Sequence, residues 1–278
     1  MKKLNIVIVL FFSLLVLQSC VKKIEVDEGV APALPLAETF IMPFTGYEEV
    51  DTTGFVPTDE DTAAPRTDTH FNWFHAATNV FIWNTIVNLN LVIPKAAFFA
   101  AFNQDAVAQG NGVWLWEYSF TGDSNNIYTA KLYGEVLDME EVQWDMYISK
   151  ENGFQDVHWY SGITSAAQAT WALNHKPNSP EPLLKIEYQK NNGSGEAAIK
   201  YTNIVPNNAG NGDYIEFRVD NASGADFDRG YDIYKSSNGN LLEAQWNEAI
   251  KNGQVKDEQR FGDTKWHCWG ESQIDIEC

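Results

Sequence analysis

Three acids, Glu117, Glu135 and Asp145, stand on neighbouring stretches of alternating sequence, and glycoside hydrolysis uses paired carboxylates. That chemistry needs them roughly 5 to 9.5 Å apart across the scissile bond. Strand registers decide the separation, and the polar outer faces of meanders also carry acids. Asp226, Asp228 and Asp232 in "DFDRGYD" suggest a calcium loop, but the third early ligand and the closing Glu of an EF-hand are missing. A turn entering a strand is the reading. His70 and His75 lie about 140° apart around a helix, so they lack the shared face of an i, i+4 metal pair. No GxSxG, GxxxxGK or dinucleotide fingerprint occurs, and "GSG" at 193–195 sits in an Asn-rich hairpin context. The balance favours binding or scaffolding over catalysis, and no catalytic, metal-binding or cofactor-binding residue is assigned.

Aromatic residues are abundant, with 10 Trp, 11 Tyr and 16 Phe. A curved sheet wrapped around apolar helices needs such bulk in its core. Two functional uses compete with core packing. Inward Trp114, Trp116 and Trp144 would line a cavity for an apolar ligand. Outward Trp159, Trp171 or Trp246 would form a sugar-stacking platform, making the chain a glycan-binding module. Two cysteines, Cys268 and Cys278, close the loop "CWGESQIDIEC" at the chain end. In an oxidising compartment such a pair reads as a disulfide contributing about 3 kcal/mol, with a reactive or metal-binding thiol beside His267 as the competing reading.

The remaining cysteine closes the opening stretch, "MKKLNIVIVL FFSLLVLQSC VKK". Lys2 and Lys3 precede an apolar core, Leu4 to Leu17, and small Ser19 comes before Cys20. This is the three-part pattern of a secretory signal over 1–19. As a helix the core would rise about 21 Å, short of the roughly 30 Å hydrocarbon slab, so it reads as cleavable. Without Lys2 and Lys3 the chain keeps 17 cations against 38 acids, a net charge of −21. That excludes phosphate-rich partners such as nucleic acid, and it makes the body a poor ligand for anionic lipid.

From 20 to 69 the chain is rich in Pro, Thr and acids, with Phe40, Ile41, Phe44 and Phe55 scattered without period. It reads as a tether in which those aromatics can dock. From 70 to 278 a single β-rich domain with a helical start over 70–109 is expected. The run from His70 to Pro94 has no Asp, Glu, Lys or Arg, yet its five Asn make a membrane span costly. Two helices are expected, over about 72–89 and 94–108. Apolar residues on several sides of the first, Trp73, Phe81 and Trp83 among them, predict that it is surrounded by protein. After Gly112, "VWLWEYSF", "VQWDMYIS", "LLKIEYQK" and similar stretches alternate with period two, separated by "NNGSG", "NNAGNG" and "SSNGN". The fold class is therefore mainly β: an antiparallel meander of about 10–12 strands, curved or closed into a barrel, with two helices packed against or inside it.

Leu17-Gln18-Ser19-Cys20 resembles the lipobox of bacterial lipoproteins. The resemblance implies that Cys20 is acylated and becomes the first mature residue, anchoring the chain in a membrane. No Asp follows Cys20, which by the best-known sorting rule of that family favours the outer membrane and leaves periplasmic or surface orientation open. In its order of elements the chain from His70 resembles the LolA and LolB carriers, open curved barrels closed by helices, and more loosely the lipocalins. The strings "NWFHAATNVFIWNT", "WDMYISKENGFQDVHWY", "IKYTNIVP", "YDIY" and "GDTKWHCW" resemble a group of bacterial lipoproteins of undetermined function. These resemblances imply an envelope protein that holds an apolar small molecule or docks an envelope complex. They carry over no catalytic residue.

Overall fold

The computed structural model describes residues 29–47, 69–138, 141–220 and 225–278. Period-two alternation produces one antiparallel sheet of 14 strands in sequence order. They are β1 (Val107–Gly110), β2 (Val113–Thr121), β3 (Ile127–Val136), β4 (Val142–Lys150), β5 (Val157–Thr164), β6 (Gln168–His175) and β7 (Glu181–Lys190). There follow β8 (Ala197–Asn203), β9 (Tyr214–Val219), β10 (Arg229–Lys235), β11 (Asn240–Trp246), β12 (Gly253–Asp257), β13 (His267–Trp269) and β14 (Asp275–Ile276). The meander is open, with β1 and β14 as its edges, rather than closed into a barrel. Register keeps each face uniform: Trp116 opposes Leu132, which opposes Met146, while Glu117 opposes Lys131, which opposes Tyr147. The first set is buried, and the second lies on the opposite, outer face. Cross-strand charges on that face pair as Lys200–Glu216, Arg218–Asp232 and Lys256–Glu243.

Helices α1 (Phe71–Asn90) and α2 (Val92–Ala101) cover the apolar face, with a bend of 69° between them. Helix α1 lies against β10, β12, β13 and β14, and α2 against β2, so the pair links the late strands to the early ones. Trp73, Ala76, Ala77, Val80 and Val87 form the buried side of α1. On α2, Phe98 stacks on Phe40 with ring centroids 4.7 Å apart, and the Tyr118 hydroxyl donates to the Ala97 carbonyl at 2.6 Å. The second helix stops at Ala101, short of the expected 108, because Val107 and Ala108 pair with Leu115 and Trp114 in the first hairpin. Phe81 is 56% exposed and Trp83 half-buried, contrary to a fully surrounded helix. The Asn residues that argued against a span find partners nearby: the side chains of Asn79 and Asn90 donate to the carbonyls of His75 and Ile86, and Asn72 donates to Cys268.

No side chain from His70 caps α1. Asp275 of β14 does so instead, its carboxylate accepting from the backbone N–H groups of Phe71 at 3.1 Å and Asn72 at 3.0 Å. An anion at this end also opposes the helix dipole. Asp275 pairs with Trp269 and accepts from the Thr69 hydroxyl, within the loop closed by the disulfide between Cys268 and Cys278, whose Cα atoms are 5.2 Å apart.

Residues 29–47, assigned by composition to the tether, run through the core. Phe40, Met42 and Tyr47 are buried there, and Ala31, Leu34, Ala37, Ile41 and Phe44 pack beside them. One 3-10 turn, Ala37–Thr39, is their only regular element. Most of the strap's polar bonds come from the sheet's aromatic residues. Trp171 Nε1 donates to the Thr39 carbonyl at 3.0 Å, the Tyr201 hydroxyl to Phe40 at 2.9 Å, and the Tyr231 hydroxyl to Pro43 at 2.9 Å. Tyr201 also accepts from the Met42 N–H at 2.7 Å. Glu38 accepts from the Tyr188 hydroxyl and from Lys190. Gly46 has φ +83°, and a Cβ there would meet the Trp246 ring at 2.7 Å, so the strap turns where only glycine fits.

Phe40→Ala should lower the unfolding free energy by about 3–5 kcal/mol. Tyr201→Phe removes the partner of two buried backbone groups and should cost about 1–3 kcal/mol. Tyr160→Phe should cost nothing measurable, since the Tyr160 hydroxyl is buried with no hydrogen-bond partner among the described residues. Urea unfolding of the three variants checks the ranking. Cys278→Ser should cost about 2–4 kcal/mol and loosen the first turn of α1, read by amide exchange at Phe71 and Asn72.

Candidate functional site

Trp116 and Trp144 are fully buried, with ring centroids 5.6 Å apart. They close over Gly134, where a Cβ would sit 2.8 Å from the Trp144 ring and 3.1 Å from that of Trp116. Trp144 Nε1 donates to Thr164 Oγ1 at 2.8 Å, so its polar atom is already used. Trp114 is half-buried against the same core. None of the three lines the grooves described below. Trp159, Trp171 and Trp246 are buried as well, and the last two hold Thr39 and Glu248 through their indole N–H groups. Trp171 and Trp246 share the inward phase of their strands, Trp159 is buried beside Tyr160 at a register shift, and the three form no outward platform. Cys20 lies outside the described residues.

Of the three acids, the register brings two together. Glu135 opposes Gln143 and Asp145 opposes Tyr133, making Glu135 and Asp145 diagonal neighbours across β3 and β4, whereas Glu117 opposes Lys131. Diagonal Cβ atoms lie roughly 7–8 Å apart. Both acids border an open groove of about 530 Å³ on the outer face, with Lys131, Tyr133, Tyr147 and Asp156. Asp145 accepts from His158 Nε2 at 2.8 Å, and Lys131 pairs with Asp156 at 3.0 Å. The Tyr133 and Tyr147 rings meet edge to face at 5.9 Å. Burial and then the nearby Asp145 raise the Tyr147 phenol above its ordinary pKa. Asp228 accepts from the Glu248 N–H, Asp232 pairs with Arg218, and the Asp226 carbonyl accepts from Asn247. Among the described residues no three His, Cys, Asp or Glu side chains are grouped to hold a metal.

The second groove is apolar. Ile82, Trp83, Ile86, Val87 and Leu91 line one wall, and Leu183, Leu184 and Tyr234 the other, at the ends of β7 and β10. Asn90, Asn203, Asp213 and Lys235 also border this space of about 210 Å³. Sequence pattern did not single out this site, because its walls come from a helix and from strand ends far apart in the chain. The charge-free run from His70 to Pro94 was the available signal. Among the described residues no single helix is long and apolar enough to cross a membrane, and α1 and α2 pass that test only as a bent pair.

His75 ties α1 to the sheet at the far end from this groove. Its Nε2 lies 2.8 Å from Asp257, which also accepts from Asn240 and from the Arg260 N–H at the start of α3 (Glu258–Phe261). Burial lowers the His75 pKa, outweighing its carboxylate partner. Burial would raise that of Asp257, but its hydrogen bonds to His75, Asn240 and Arg260 bring it below the ordinary value. The contact at neutral pH is therefore a neutral imidazole donating to a carboxylate. Comparison with protein-family models, curated proteins and solved structures finds no match.

Both shifts make acid destabilising. A histidine with a depressed folded pKa loses its contribution as pH falls below the unfolded value near 6.5, and a depressed Asp loses its own below about 4. Urea midpoints should fall between pH 7 and pH 5, and His75→Gln should flatten that slope.

Proposed function

We propose that the chain is a lipid-anchored binding protein of the bacterial outer membrane, attached through Cys20 and holding an apolar small molecule. The single observation that carries the binding reading is the α1 groove, with five apolar residues of the helix corner facing Leu183, Leu184 and Tyr234. Concave apolar surface with a few polar groups nearby is the usual form of a small-molecule site. Anchorage is supported by Leu17-Gln18-Ser19-Cys20, and the likeness in element order to lipoprotein carriers agrees with a ligand of this class.

A second reading, glycan binding, rests on the outer groove, where Tyr133 and Tyr147 stand beside Glu135, Asp145 and Asp156. Tyrosine faces beside carboxylates suit a polyhydroxylated ring. Scaffolding of an envelope complex requires neither groove.

Metabolic labelling with an acyl-chain probe should mark the wild-type chain and not Cys20→Ala, and equal labelling would remove the anchor. A fluorescent fatty acid should bind the exported protein, and Trp83→Ala should weaken it by about tenfold. Unchanged affinity in that variant places the ligand elsewhere. Binding of soluble glycans lost in Tyr133→Ala and kept in Trp83→Ala would favour the second reading.

A further inference from the structure

Because the strap packs on the core from Ala31 onward, little chain separates the body from Cys20. The link from Cys20 to Gly29 reaches at most about 32 Å when fully extended. If Cys20 carries lipid, as the proposed function holds, the body stands beside the bilayer. At a net charge of −21, most of its surface is repelled by anionic headgroups.

One face is different. Between His70 and Pro94 no residue is charged, and Phe81, Ile82, Ile86, Leu89 and Val92 are each 43% to 75% exposed. At about 100° per residue the four on α1 fall within an arc of about 140°. Asn88 and Asn90 flank that arc with satisfied amides, one bonded to Asn84 and the other to the Ile86 carbonyl. Lys95 follows, its ammonium donating to Asn88 at 3.1 Å.

We propose that this face docks the body on the bilayer surface. Helix α1 lies in the membrane plane, its four apolar side chains and Val92 at the start of α2 inserted at the boundary between headgroups and acyl chains. The apolar groove shares Ile82 and Ile86 with the face, so docking brings its mouth to the lipid. With no cation on the helix arc, attachment depends on apolar burial and needs no anionic lipid.

Flotation of the mature chain from residue 20, carrying Cys20→Ser and so lacking both the apolar signal core and the lipid, with phosphatidylcholine vesicles, tests the face without the anchor. The protein should float with the vesicles equally at 0.1 and 1 M salt, since burial of apolar area is not screened (about 8–10 Å and 3 Å being the Debye lengths near those concentrations). Leu89→Glu and Ile86→Glu should each lower partitioning by about tenfold or more while keeping the parent's urea midpoint. Should either unfold, the neutral Leu89→Gln substitutes for it with the same expected direction. Protein left in the lipid-free fraction, or flotation unchanged in these variants, overturns the proposal. So does a dimer, seen without vesicles, that the same substitutions make monomeric, because a second copy would then cover the face. Absence of acyl labelling at Cys20 would remove the anchor and leave the flotation result standing.

Discussion

Everything in this fold depends on how an irregular strap inside an apolar cavity satisfies its backbone. Residues 37–47 have one 3-10 turn and no strand pairing, so most of their polar groups find no partner in regular structure. An unpaired buried amide or carbonyl costs about 1–3 kcal/mol. Three strands solve this with aromatic side chains that carry a polar tip, Trp171 on β6, Tyr201 on β8 and Tyr231 on β10, while Tyr188 on β7 donates to the Glu38 carboxylate. Each contributes apolar area along its length and a donor at its end. Part of the aromatic richness of the chain thus serves to pack one segment of backbone against a sheet.

The strap in turn sets the place of the helices. Phe40 stacks on Phe98 of α2, lies tilted against Tyr160 and meets Trp171 edge to face, while Tyr47 lies against Trp73 of α1 and Trp246 of β11. With the strap occupying the inner face from β6 to β11, α1 can bury one side, and its other side faces outward. The exposed Phe81, Ile82, Ile86 and Leu89 follow from that division of space. The sheet stays open because α1 and α2 span from its late strands to β2.

The strand class was legible because alternation is local: "VWLWEYSF" and "VQWDMYIS" state their inward faces without reference to a partner. β1 and β14 are too short to show a period, which is why 14 strands exceed the expected 10–12. Docking of Phe40, Ile41 and Phe44 was expected, but the extent of the strap was hidden because its burial is specified by residues more than 100 positions away, and scattered Phe among Pro and Thr has the composition of a linker. Side assignment failed for Phe81 because a helix apolar on several sides does not say which side its neighbours choose. Trp159 was ambiguous for a related reason: adjacent Trp159 and Tyr160 are both buried, near a register shift opposite Met146 and Tyr147. The disulfide was readable from two cysteines, but the helix cap within its loop, Asp275, was not.

Hydrogen exchange at the amides of Ile41 and Met42 tests the central claim most directly. These N–H groups bond to the Ala37 carbonyl and to the Tyr201 hydroxyl, respectively. If the strap is part of the cooperative core, both should exchange only through global unfolding, as slowly as the amides of β8. Exchange of residues 37–47 within seconds, while the strands remain protected, would show that this segment is a tether resting on a sheet that is complete without it.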